Sequence, residues 1–74
     1  LSGTRDVAQR IVNAEESFLA FACETAQLTR PEALRALAAY RKAKVIKLDP
    51  IVGQFTFTHG AFAEADVLKR AART

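Results

Sequence analysis

Apolar residues recur along the first third of the chain at helical spacing. Val7, Ile11, Ala14, Phe18 and Ala22 fall three or four apart and mark one face, which Val12, Leu19, Cys23 and Ala26 widen. The pattern predicts a helix over residues 4–27 with Thr4 as its N-cap. As a single rod it would run roughly 35 Å at the usual helical rise. That exceeds the roughly 30 Å expected across a globule of this chain length. Either the helix projects and pairs with a partner, or it breaks near Asn13, where Asn13-Ala14-Glu15-Glu16 reads as a cap with a glutamate at the third position.

Thr29-Arg30-Pro31-Glu32 marks a second start, with a capping hydroxyl, a proline in the first turn and a glutamate that can reach back to the Thr29 amide. We expect a helix over residues 29–43, burying a stripe of Leu34, Leu37 and Ala38 with Tyr40 beside it. Leu28 ties it closely to the preceding helix, so the two should form a corner or hairpin. Beyond it the period changes from helical to alternating. Val45-Ile46-Lys47-Leu48 is rich in β-branched residues, and Gln54-Phe55-Thr56-Phe57-Thr58 alternates with both phenylalanines on one side. Asp49-Pro50 and Gly53 supply the turn of a β-hairpin, and Ile51 and Val52 lie at its tip. His59-Gly60 ends the second strand. Residues 61–72 then read as a closing helix, with Phe62, Ala65, Leu68 and Ala72 on one side, extended by Ala63 and Val67.

The expected fold is therefore α+β: a small helical domain with a β-hairpin, in the order helix, (helix), helix, hairpin, helix. Residues 1–74 make one domain. The longest strongly apolar run, residues 18–23, is far short of the roughly 20 residues a membrane helix needs. With one cysteine there is no internal disulfide framework and no cysteine-rich zinc site. A domain this small buries only about 60% of its unfolded surface, so it must rely on good helix packing or on a partner. The chain contains no methionine and opens on Leu1, which suggests a processed chain or a domain of a longer protein. No signal pattern opens it, and an intracellular, cytoplasmic setting is the default expectation.

Formal net charge is +3, from eleven Lys and Arg against eight Asp and Glu. The distribution says more than the sum. Between residues 33 and 48 the charged side chains are Arg35, Arg41, Lys42, Lys44 and Lys47, with no acid among them, and Arg30 precedes the run. Such a run suits nucleic-acid phosphates. It also suits a solvated helix face with lysines guarding a hairpin edge.

If the first segment breaks at Asn13, the order of elements resembles winged-helix DNA-binding domains, in which a third helix enters the major groove and a hairpin wing follows. The resemblance implies that residues 29–43 are the recognition helix and residues 45–58 the wing. It would set Arg30 and Arg35 toward the groove and Lys42, Lys44 and Lys47 against phosphate. The second of its three helices, residues 14–27, is longer than usual. The proposed groove face holds few Asn, Gln, Ser or Thr residues, which argues for backbone contact over base readout.

Catalysis is not expected. His59 is the sole histidine, and Cys23 sits on an apolar helix face as a small hydrophobe. His59 fits a helix-start hydrogen-bonder better than a base. Glu15-Glu16 and the Glu64, Asp66 pair lack ligand spacing to a histidine, so neither a metal nor another cofactor is expected. Phe55 and Phe57 are candidates for base stacking, but a two-stranded sheet must bury one face, and we assign them to the core. The competing function class is self-association. Val7, Ile11, Phe18, Leu19 and Ala22 form a wide apolar face that a second copy could cover, giving a homodimer or a protein-interaction module of a larger protein, including an accessory domain of a nucleic-acid-processing enzyme.

Overall fold

The computed structural model describes residues 2–73, with side chains from Asp6 to Arg73. The chain forms α1 (Ser2–Ala26), α2 (Arg30–Ala43), β1 (Ile46–Asp49), β2 (Gln54–Phe57), a 3-10 turn (Gly60–Ala63) and α3 (Ala65–Arg73). This is the expected α+β arrangement of helices around a hairpin, measuring 41 × 23 × 18 Å.

The long dimension is α1, which runs without interruption, so only two helices precede the hairpin. The break at Asn13 is not made. Its side chain accepts from Gln9 Nε2 at 3.0 Å, one turn back, and so is turned away from the forward amides a cap would bond. The start at Thr4 is also superseded, because the helix is already running at Ser2. The hairpin steadies the middle of the rod. Arg10 Nη1 donates to the Pro50 carbonyl at 2.7 Å. Gly53 holds φ +75° there, so the turn needs glycine for its conformation, and a Cβ on it would touch Arg10 Cβ at 3.4 Å.

The start of α2 is as its sequence predicts. Thr29 N–H donates to Glu32 Oε1 at 2.9 Å, and Glu32 N–H donates to Thr29 Oγ1 at 3.4 Å. The bond from the Thr29 amide is the main reason the Glu32 carboxyl lies below the usual glutamate range. The buried stripe, however, is rotated from the expected one. It consists of Ala33, Ala36, Leu37 and Tyr40, while Leu34 is 46% exposed and Ala38 faces outward. Turning alanines inward lets α2 approach its neighbours closely, and Tyr40 then fills the space between them.

At its other end α2 stops on Lys44, in the left-handed region at φ 59°, ψ 36°, with the Lys44 amide bonded back to the last turn. Glycine is the usual residue there because it carries no Cβ. Lys44→Gly is expected to raise stability by about 0.5–1 kcal/mol. Urea denaturation measures it, and a stability loss would show that the lysine side chain makes a compensating contact.

β1 and β2 pair antiparallel with Ile46 opposite Phe57 and Leu48 opposite Phe55. The alternation sends these four toward the helices and leaves Lys47 and Thr56 outside. The core assignment of the phenylalanines holds: the Phe57 ring lies 5.9–6.3 Å from those of Phe18, Phe21 and Tyr40. The closing helix is shorter than expected. His59 Nδ1 accepts from the Ala61 amide at 3.1 Å and starts the 3-10 turn. Glu64 then takes an extended conformation and breaks the path before α3. Leu68 of α3 is fully buried.

Of the face considered for dimerisation, Phe18, Leu19 and Ala22 are buried within this chain. They close the core with α2 and α3. Ile11 is half-buried and Val7 half-exposed. Cys23 is half-buried against the same core. Among the described residues no helix is long and apolar enough to cross a membrane.

Candidate functional site

The six basic residues singled out in the sequence divide into three groups. At about 100° per residue, Arg30 and Arg41 fall on one edge of α2, and Arg35 and Lys42 on another. The first edge faces α1, whose adjacent acids engage it. Arg30 Nη2 lies 2.7 Å from Glu16 Oε1, and Arg41 Nη1 lies 3.3 Å from Glu15 Oε2. The hydrogen bond from Arg30, reinforced by its charge, holds the Glu16 carboxyl below its ordinary range. The Arg41 guanidinium also sits 5.9 Å from the centre of the Phe55 ring, within cation–π reach. Arg30 and Arg41 are therefore committed to joining α1, α2 and the hairpin. No local pattern marks these partners, which are 14 and 26 residues away.

The second edge faces α3. Arg35 Nε donates to the Ala72 carbonyl at 3.0 Å, satisfying an acceptor in the last turn of α3. Beside it, α2 and α3 leave an open groove of about 830 Å³. Its lining includes Ala38, Ala39, Ala43, Val45, Phe62 and Val67, with Arg35, Lys42 and Arg70 as the only charged residues. Arg70, the residue sequence reasoning missed, comes from a helix remote in the chain. The available signal was the set of alanines on α2, whose short side chains leave the space open.

Tyr40 also borders the groove, and its hydroxyl donates to the Phe62 carbonyl at 2.8 Å. Burial pushes the phenol up from 10.0 to about 12. The folded state thus keeps a proton that the unfolded chain releases. Stability from this group is intact below pH 10.0 and is lost as the pH rises toward 12. Tyr40 is the only tyrosine and there is no tryptophan, so tyrosinate absorbance reports this one group. We expect an alkaline shift of the titration in the folded protein relative to the urea-unfolded chain. Coincident titrations would show the ring to be solvated.

The third group is Lys42, Lys44 and Lys47, at the end of α2, its cap and the outer face of β1. All three are exposed, and among the described residues none of their side-chain ammonium groups has a hydrogen-bond or ion-pair partner. Lys42 belongs to this group as well as to the groove rim. Among the described residues no cluster of three His, Cys, Asp or Glu side chains has the geometry to hold a metal ion.

These features define a small α+β domain of two helices, a hairpin and a closing helix, with unpaired cations where the second helix meets the hairpin. No family model, curated protein or solved structure matches the chain.

Proposed function

We propose that this is a non-enzymatic binding domain that contacts the phosphates of nucleic acid through Lys42, Lys44 and Lys47. The observation that carries the reading is that these lysines are exposed and unpaired, whereas Arg30 and Arg41 nearby are already engaged by carboxylates. A free lysine can exchange condensed counterions for a phosphate without first breaking an internal ion pair. Lys44 adds a second support. It occupies a left-handed cap where glycine is more stable, as expected if the side chain earns its place outside folding. The surface offers charge with few base-reading side chains, so contact is to the backbone and largely independent of sequence.

The test is binding of a labelled DNA duplex across a salt series. Three phosphate contacts predict a slope of about −2.7 in log affinity against log salt, a loss of roughly 40-fold between about 50 and 200 mM. Binding that ignores salt, or none at about 50 mM, rejects the reading.

A further inference from the structure

We propose that the groove between α2 and α3 is a docking site for an amphipathic helix of a partner protein, apolar on one face and flanked by Asp or Glu. This proposal does not depend on the nucleic-acid reading. The floor is apolar, built from alanines of α2 together with Val45, Phe62 and Val67. Exposed apolar surface of this kind gains by excluding water, and a row of aliphatic side chains can fill it. The rim carries charge of one sign only, with Arg35 and Lys42 on the α2 side and Arg70 on the α3 side. An occupant with acids on both flanks would meet a cation on each wall.

The backbone chemistry selects a helix over an extended strand. Where the hairpin reaches the groove, Val45 has both main-chain groups occupied: its amide donates to the Tyr40 carbonyl and its carbonyl accepts from the Thr58 amide. The other walls are helices, whose main chains, apart from their terminal carbonyls, are satisfied internally. A segment lying here must therefore bond its own backbone, which a helix does and a lone strand does not. The width left by Ala38, Ala39 and Ala43 admits side chains projecting at helical spacing from one face.

The probe is a synthetic helix of about 14 residues, close to the length of α2, with leucines along one face and glutamates beside them. One control peptide has lysines in place of the glutamates, and a second has serines in place of the leucines. Fluorescence anisotropy with the 74-residue chain should show the first peptide binding at least about tenfold tighter than either control. Arg70→Glu and Ala38→Glu, both at exposed positions, should each weaken it by about tenfold while helical circular dichroism persists.

Equal binding of the glutamate and lysine peptides overturns the proposal, as does binding unaffected by either substitution. Displacement of the peptide by duplex DNA at matched charge would reassign the groove to nucleic acid. Sedimentation of the chain alone supplies a further check: a dimer abolished by Ala38→Glu would show that a second copy covers the groove.

Discussion

Phe18→Ala is expected to cost about 3–5 kcal/mol of folding stability. A domain of this length has only roughly 4–11 kcal/mol in total, so the variant should stand near the edge of unfolding at ambient temperature. The size of the effect follows from position. Phe18 is 5% exposed, and its ring meets Tyr40 edge-on at 5.8 Å and Phe57 at 6.3 Å. It therefore joins α1 to both α2 and β2, and truncation opens a void that three elements cannot close together. Val7→Ala, on the same helix but 52% exposed, should change stability by less than about 0.5 kcal/mol. Thermal and urea melts at several protein concentrations separate this from the dimer reading. A small Phe18→Ala effect that grows with protein concentration would mean that the ring is covered by a second copy instead.

The contrast between those two residues shows what could and could not be read from the chain. Local signals with a single physical meaning were legible. The Thr29–Glu32 box and the alternation through Phe55 and Phe57 each specify a geometry that needs no distant partner, and both are present. Signals that compete with tertiary contact were not. Asn13 carries a good capping side chain, but a helix held along its length by Arg10 on the Pro50 carbonyl and by Ala14 in the core has no reason to break there. Leu34 is more apolar than Ala33 or Ala36, yet the alanines face inward because close helix approach rewards small volume over hydrophobicity. The closing helix lost its first turn to His59, whose ring bonds the Ala61 amide and redirects the chain.

Charge was the least legible feature, because its meaning depends on what lies opposite. Arg35 to Lys47 reads in one dimension as a single basic run, with Arg30 just ahead of it beyond Glu32. Folding brings Glu15 and Glu16 against Arg30 and Arg41, and brings Arg70 beside Arg35 and Lys42. The two exposed ion pairs contribute little to stability, but they change which cations remain available to a ligand. Sequence alone identified the three lysines that stand unpaired where α2 meets the hairpin, together with three arginines that are tied into the fold.

The sharpest functional consequence is therefore expected from Lys42, Lys44 and Lys47 rather than from the arginines. Changing all three lysines to alanine should weaken duplex DNA binding by roughly a thousandfold at about 50 mM salt, because each phosphate contact there is worth about one power of ten in released counterions. The slope of affinity against salt should flatten by about 2.7 at the same time. Arg30→Ala is the internal control. Its guanidinium is held by Glu16, so its removal should leave the slope unchanged. Lys44→Gly supplies a second, independent axis: it should gain stability by relieving the left-handed cap while losing one contact, a slope change of about 0.9. A stabilised variant with weaker binding separates the role of the lysine from any damage to the fold. If the triple variant binds as the parent does, phosphate contact through these lysines is rejected, and the α2–α3 groove becomes the surface to pursue.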